Sequence, residues 1–377
     1  MRLLLIGMAL GLAVVPTPAA WVESMYSRHT YLISQNLLTP LSSLTRVALF
    51  DVLIVIGVVG LPVWWVLALR RSGRGRRLRS AARMVLNTAT LAAVMYVVFL
   101  LVWGLNYRRE PLTAKLDYQP QRVTPLALAD LAGEATVRLN ALHPVAHAEP
   151  WSDLDALPSA LGPAFVSVQR DLGVGRTAVT GTPKVTLLTP YFRRAGVDGM
   201  INPFSLEILI NGSVLPFERP FVVAHEWAHL AGYANESEAS FVGWLTCLTG
   251  PPPARYSAWI FLFPHLIRHL DPQQQDELWA QLDDGPMADF RAVSERVAEA
   301  VPVVRRGANR VYDQYLKANR VDEGIASYGA VVDLVLGSAL GDAAITSYRG
   351  DASFESSASP RFLSIARQAG ERLSEYR

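Results

Sequence analysis

The sequence HEWAH places two histidines, His225 and His229, four residues apart, with Glu226 directly after the first. Pro220 suits the first turn of a helix, and the chain continues without a breaker to Gly232, a natural carboxyl-terminal stop. On a helix this spacing puts both imidazoles on one face, where they can converge on one metal ion. Glu226 would then lie beside the open coordination position and could act as a general base toward water.

The residues around this motif fit a helix that is buried behind a metal ion. An unpaired charge in such a position would be costly. The flanking positions are all uncharged, namely Val223, Ala224, Trp227, Ala228 and Leu230. The flanks therefore favour a metal site over a helix that carries two incidental histidines.

A third ligand is expected just after the Gly232 turn, where NESEASFVGWL begins the next predicted helix. Glu236 and Glu238 are both candidates, but residues two apart on a helix point about 200° away from each other, so only one can reach the ion. We favour Glu236 because Ser240 lies four residues further along the same face and could hydrogen-bond its carboxylate. Glu238 remains the alternative.

A histidine pair of this kind with a ligand glutamate on the next helix resembles the gluzincin class of zinc metallopeptidases. In that class the glutamate is often followed four residues later by Asp or Asn, whereas this chain has Ser240. A wider resemblance, to the bacterial membrane family called domain of unknown function 3810, is carried by four segments. They are WGLNYRREPL, HEWAHLAGYANESEASF, ARYSAW and VYDQYLKANRVDEGIASY.

The resemblance implies a membrane-anchored, zincin-like peptidase that acts on a peptide or protein substrate. Zn²⁺ would be held by His225, His229 and Glu236, with Glu226 as the catalytic base. Zincins often stabilise the oxyanion with a residue from a later segment, and by position the candidates are Tyr256, Tyr312 and Tyr315. Each of these tyrosines also suits an ordinary place in the core or at its rim.

Two other functions compete with an extracytoplasmic peptidase. A catalytically silent, zinc-binding membrane sensor or assembly factor that docks a protein partner would use the same ligands, but its zinc would be closed by four protein ligands. An intramembrane metalloprotease would carry the motif within a spanning helix. That version is disfavoured because polar residues flank the motif closely, namely Glu218, Arg219, Asn235 and Glu236.

Other residues of reactive type carry a weaker signal. His265 and His269 repeat the four-residue spacing, but Leu266 takes the place of the glutamate, and packing or a wet helix edge explains the pair better than a second metal site. His143 and His147 flank Pro144 in a predicted loop. The single cysteine, at position 247, suits a small buried hydrophobic residue.

The composition indicates a membrane protein, with 51% hydrophobic residues. Two segments match the roughly 20 apolar residues of a spanning helix, Val47–Leu69 and Met84–Leu105. Residues 1–21 form either a first transmembrane helix or a signal peptide. Asp51 is predicted to lie near the outer end of its span, where hydration is available.

The loop at residues 70–83 contains seven arginines and no acidic residue, so the positive-inside rule places it in the cytoplasm. Residues 22–46, as a loop, and residues 106–377, as a domain, would then lie outside the cytoplasmic membrane of a bacterium. Apart from these arginines the chain has 28 basic and 33 acidic residues, which gives no electrostatic case for nucleic acid. Membrane lipid is the expected surrounding partner.

The region after residue 106 is predicted to be mostly helical with a small β-sheet. Short β-prone runs at Lys184–Thr189 and Ser205–Ile210 precede the HEWAH helix. We expect the second run to form a sheet edge over that helix. The fold class is therefore a membrane-anchored α+β protein with a zincin-like domain.

Overall fold

A computed structural model describes residues 1–72, 76–321, 330–341 and 343–344. Helices dominate these residues, and three short strands form one sheet. The helices are α1 (Arg2–Val14), α2 (Ala19–Ser43), α3 (Leu49–Arg71), α4 (Arg77–Val102), α5 (Pro125–Ala146), α6 (Leu157–Asp171), α7 (Thr189–Ala195), α8 (Arg219–Leu230), α9 (Glu236–Thr249), α10 (Pro252–Ile267), α11 (Pro272–Ala280), α12 (Asp284–Ala298), α13 (Pro302–Ala318) and α14 (Val331–Gly337). The strands are β1 (Pro183–Val185), β2 (Gly199–Asn202) and β3 (Glu207–Ile210).

Two helices, α3 and α4, are long and apolar enough to cross a membrane, as the sequence predicts. Their bounds differ from the predicted ones. The largest difference is that α4 begins at Arg77, inside the predicted arginine loop. Arginine is a good helix former and is tolerated at the end of a span, so the helix can extend through these residues. Residues 73–75 of that loop lie outside the described residues.

The segment before α3 is helical, although residues 22–46 were predicted to form a loop. Helix α1 packs along α4, and the chain then bends by 109° into α2. Pro16 and Pro18 lie at this bend, where proline cannot continue a hydrogen-bonded helix. Residues Val22–Thr30 of α2 are wound as a π-helix.

Helix α2 forms part of the folded core beneath the sheet. The Gln35 carboxamide exchanges two hydrogen bonds with the backbone of Val179, at 2.8 and 3.0 Å. The Thr39 hydroxyl donates to the Leu206 carbonyl at 2.8 Å. Both side chains are fully buried, so the polar residues that resemble a loop in the sequence are internal hydrogen-bonding groups.

The strand order of the sheet is β1-β3-β2, with β1 parallel and β2 antiparallel to β3. The prediction of a sheet edge at residues 205–210 is therefore wrong. Strand β3 is central, and all four of its residues are buried. The antiparallel edge is β2, which was not predicted from the sequence. The first predicted strand is present but ends at Val185, because Thr189 and Pro190 begin α7.

The sheet is bonded directly to the first residues of α3. The Glu207 carboxylate accepts from the backbone N–H groups of Leu49 and Phe50, at 3.1 and 2.8 Å. These donors have no partner within the helix, so the Glu207 carboxylate caps the amino end of α3. Lys184 on β1 forms a buried ion pair with Glu207 at 2.6 Å.

Asp51, predicted to be hydrated, is buried against the sheet instead. Its carboxylate accepts from the Thr186 hydroxyl at 2.5 Å and from the Leu187 N–H at 2.8 Å. These hydrogen bonds replace the water that a carboxylate would otherwise need. A second contact thus joins the start of α3 to the segment after β1.

Helices α8 and α9 pack against each other in the centre of the domain. Gly243 permits the close approach, because a Cβ there would lie 2.9 Å from the backbone nitrogen of His225. Trp227 and Trp244 fill the surrounding core and are fully buried. Cys247 is also buried, as predicted, and burial raises its thiol pKa.

Candidate metal centre

Helices α8 and α9 bring His225, His229 and Glu236 together. The two histidine Nε2 atoms lie 3.1 Å apart. Oε2 of Glu236 lies 3.2 Å from Nε2 of His225 and 3.4 Å from Nε2 of His229. The three ligand atoms that the sequence singled out therefore converge on one point.

The turn between the two helices places Glu236 over the histidines. Helix α8 is followed by Gly232 with φ of 85°, a left-handed conformation that glycine adopts without strain. Asn235 then caps α9, because its side chain accepts from the N–H groups of Ser237 and Glu238 at 2.9 and 3.3 Å. Glu236 is thus the first residue of α9, with its carboxylate turned back toward α8.

The second nitrogen of each imidazole is engaged elsewhere, which leaves both Nε2 atoms facing Glu236. Nδ1 of His229 lies 2.7 Å from the Tyr233 carbonyl oxygen. Nδ1 of His225 lies 3.2 Å from the Ser240 hydroxyl. The sequence predicted that Ser240 would hydrogen-bond the Glu236 carboxylate, and this prediction is wrong, because Ser240 contacts a histidine instead. Such contacts fix the orientation of a ligating ring.

Tyr312 on α13 reaches the same site. Its hydroxyl donates to Oε1 of Glu236. The Oε2 atom of Glu236 faces the histidines and has no hydrogen-bond partner within the described part of the chain. Tyr315, one turn later, stacks on the Tyr312 ring. The third candidate tyrosine, Tyr256, donates instead to Asp289.

The electrostatics of the cluster favour a positive charge next to Glu236. Burial by itself would lower the pKa of His229, but the Glu236 carboxylate, together with Glu226 and the Tyr233 carbonyl, raises that pKa to about 9. Burial would raise the pKa of Glu236, yet the two histidines hold it well below its usual range. A divalent cation would supply a charge of the same sign.

Glu226 is buried between α8 and the edge strand β2. A Cβ on Gly199 would lie only 2.6 Å from its Oε1 atom, so the glycine makes room for the carboxylate. Burial is the main reason that the pKa of Glu226 is raised, to about 8. Among the described residues, its Oε2 atom has no hydrogen-bond partner. The raised pKa makes the carboxylate form of Glu226 a stronger base than an ordinary glutamate.

Glu238 lies in a different environment, among charged residues at the amino end of α9. Its Oε1 atom accepts from the Leu112 N–H at 2.5 Å. Burial raises the pKa of Glu238, while Arg109 and Lys115 act to lower it. The structure thus brings Glu236, and not Glu238, to the histidines.

The carboxyl end of α8 is held by residues from the first third of the chain, which sequence reasoning missed. Helix ends leave carbonyl groups without intrahelical partners. Three side chains supply donors to this turn. They are Tyr31 to the Leu230 carbonyl at 2.8 Å, Trp103 to that of His229 at 3.1 Å, and Arg109 to that of Gly232 at 2.9 Å. Trp103 and Arg109 belong to WGLNYRREPL, so the resemblance contained a signal for them.

A second group of ligand types is formed by His143, His147 and Asp289. His147 Nε2 lies 2.9 Å from Oδ2 of Asp289, and the corresponding distance from His143 is 3.7 Å. The two rings are stacked at 25°, whereas His225 and His229 are nearly perpendicular at 89°. His147 and Tyr256 both hydrogen-bond to Oδ2 of Asp289, so the group forms a hydrogen-bonded network.

His265 and His269 do not form a site with each other. Nδ1 of His265 lies 2.9 Å from the Phe261 carbonyl oxygen. His269 accepts at 3.2 Å from the neighbouring Arg268. The two residues therefore have separate local partners, and His269 is exposed, as at a wet helix edge.

Residues 26–336 match a protein family that is described as of unknown function, DUF3810. The chain belongs to the DUF3810 family. Comparison with curated proteins and with solved structures gives no match. The matched region begins inside α2, so the family unit includes most of that helix as well as the two candidate spans and the candidate metal centre.

The donor set of this DUF3810 protein fits zinc. For Zn–N and Zn–O distances of roughly 2.0–2.2 Å, two ligands of a tetrahedral ion lie about 3.3–3.5 Å apart. The three donor distances in the cluster, 3.1, 3.2 and 3.4 Å, are close to this spacing. Two neutral imidazoles and a carboxylate are also a common catalytic set for this ion.

Proposed function

We propose that this DUF3810 protein is a membrane-anchored, zinc-dependent peptidase. The observation that carries the proposal is the convergence of His225, His229 and Glu236, with the Glu226 carboxyl buried beside them. Three protein ligands leave a coordination position for water or substrate, as catalytic zinc requires. A structural zinc in a sensor or assembly factor would need a fourth protein ligand.

Each residue of the site has a defined task in peptide hydrolysis. When bound, zinc would lower the pKa of a water molecule to about 7 and would polarise a carbonyl group. Glu226 takes the proton of the attacking water and can pass it to the leaving amine. Ser240 and the Tyr233 carbonyl hold the histidine rings in place. Tyr312, whose hydroxyl donates to Glu236, orients that carboxylate.

The edge strand β2 provides a surface for an extended substrate. It is the antiparallel edge of the sheet, and Gly199 brings its backbone next to Glu226. A peptide that added a strand to this edge would gain main-chain hydrogen bonds, with its scissile bond beside the metal. This role belongs to β2 and not to the segment at residues 205–210.

The two candidate spans support a membrane location, and the arginine loop supports a cytoplasmic position for the link between them. The metal domain then lies on the extracytoplasmic side of the bacterial inner membrane. The motif does not lie within a span. Helix α8 has 12 residues, about 18 Å at 1.5 Å per residue, against a hydrocarbon thickness of about 30 Å.

Metal analysis of the purified full chain, combined with one variant, tests this function. We expect one zinc per chain in both the wild type and Glu226→Gln, because Glu226 is not a ligand. Only the wild type should cleave a randomised peptide library, with fragments identified by mass spectrometry. Retained cleavage by Glu226→Gln would remove Glu226 from its role. Stoichiometric zinc without cleavage by either protein would favour the sensor.

A further inference from the structure

We propose that the substrate is a polypeptide anchored in the same membrane and cut a few residues from the bilayer surface. The proposal rests on the proposed peptidase function and adds a substrate class to it. The observation behind it is that α8, the sheet and α13, which surround the metal centre, contact the membrane helices.

Helix α8, which carries His225 and His229, is hydrogen-bonded directly to the residue that follows α4. Trp103 directly follows Val102, the last residue of α4. Its indole N–H donates to the carbonyl of His229 at 3.1 Å, and the two rings are 6.4 Å apart between centroids. One metal ligand is therefore in ring contact with the first residue beyond the span.

The sheet beside the site is hydrogen-bonded to the other span, α3. Glu207 on β3 accepts hydrogen bonds from Leu49 and Phe50, the first two residues of α3. Strand β3 pairs along its full length with the edge strand β2. The strand that would hold the substrate is thus one hydrogen-bonded neighbour away from a span end.

Helix α13, which carries Tyr312, also contacts the membrane helices. Tyr312 donates to Glu236, and Tyr315 one turn later lies 6.2 Å from the ring of Phe99, which is inside α4. Arg320, just after α13, donates to the carbonyl of Val15 at the end of α1. The helix that covers the ligand glutamate is therefore seated on the membrane helices.

Exposed apolar side chains surround the start of α3. Leu44, a few residues before α3, is 83% exposed. Leu187, whose N–H donates to Asp51 on α3, is 78% exposed. Val47 and Val185 are also exposed. Such a patch next to a span is suited to contact with lipid. The sheet then rests on the bilayer and does not stand above it.

These contacts limit the height of the site above the membrane. The headgroup region is about 5–7 Å thick on each side. An extended chain advances about 3.3–3.6 Å per residue, so a site on the order of 10–20 Å from the hydrocarbon is reached by about three to six residues. The juxtamembrane segment of an anchored protein meets this requirement, whereas a folded soluble protein would collide with the bilayer.

The test compares two anchored substrates with the full chain in phosphatidylcholine and phosphatidylglycerol vesicles. Each substrate has one apolar spanning helix and a randomised eight-residue segment. In the near substrate the segment follows the helix directly, and in the far substrate a semi-rigid (EAAAK)4 helix of 20 residues, about 30 Å long, separates them. The same segments without an anchor form the soluble set. Glu226→Gln protein provides the background, and products are read by mass spectrometry.

We expect the near substrate to be cleaved at least tenfold faster than the far one. Both are tethered at the same surface density, so a general gain in local concentration cannot produce this difference. Equal cleavage of near and far substrates, or faster cleavage of the soluble set, would overturn the proposal while the peptidase function stands. Cleavage of none of the three sets above background would overturn the peptidase function itself, and this substrate class with it.

Discussion

At the scale of single residues, sequence reasoning predicted the candidate ligands but not all their supports. The HEWAH spacing and the second helix are local features, so His225, His229 and Glu236 could be named from the chain alone. The hydroxyl of Ser240 lies on the helix face that was expected, but it contacts His225 and not Glu236. Which partner it meets depends on how α8 and α9 cross, and no local pattern encodes that crossing.

The choice between the two glutamates leads to a first prediction. Glu236→Ala removes a carboxylate that lies 3.2 and 3.4 Å from the histidine nitrogens, so zinc affinity should fall by orders of magnitude. Glu238→Ala removes the acceptor of the Leu112 N–H and should lower stability with one zinc retained. Metal analysis after gel filtration distinguishes the two. If Glu236→Ala keeps zinc and Glu238→Ala loses it, the ligand assignment is wrong.

Tyr312 gives a second prediction at this scale. Tyr312→Phe removes the hydroxyl that donates to Glu236 and keeps the ring that stacks on Tyr315. Loss of such a supporting hydrogen bond commonly weakens metal binding about 10–100-fold, and we expect a decrease in that range. Competition with a chelator measures it. Tyr191→Phe, at a half-exposed position on α7, is the matched control and should bind zinc as the wild type does.

At the scale of elements, the helices were easier to predict than the sheet. Helix α8 follows from Pro220, Gly232 and an unbroken run between them. The sequence of β3 also indicates a strand, but whether a strand is central or at an edge depends on its partners. Those partners are β1 and β2, and β2 reads Gly-Met-Ile-Asn, in which two apolar residues between Gly and Asn give no strand pattern.

The crossing of α8 and α9 gives a prediction about stability. Gly243→Ala places a methyl group about 3 Å from the backbone of His225, and backbone cannot move aside cheaply. We expect a loss of about 1–3 kcal/mol in the free energy of unfolding. Gly133→Ala, on α5, meets no atom within 4 Å and should gain up to about 1 kcal/mol. Thermal unfolding of both variants in detergent measures these changes. A Gly243→Ala variant as stable as the wild type would contradict the prediction.

At the scale of the whole molecule, the spans and the family were predictable, but the role of α2 was not. The two apolar runs are long and continuous, and their hydropathy alone identifies them. The polar residues of α2 resemble a loop because their partners are far away in the chain. Gln35 bonds to Val179 and Thr39 to Leu206, and such long-range pairing leaves no local pattern.

This role of α2 gives the final prediction, which concerns fragments without the spans. A fragment of residues 103–377 lacks the donors at Tyr31 and Thr39, and each buried group left unpaired costs about 1–3 kcal/mol. With the lost apolar packing, this total approaches the 5–15 kcal/mol of a typical domain. We therefore expect the fragment to aggregate and bind less than one zinc. Residues 19–52 fused to it through a Gly/Ser linker should restore a soluble domain with one zinc, and equal zinc binding by both fragments would show that α2 is dispensable.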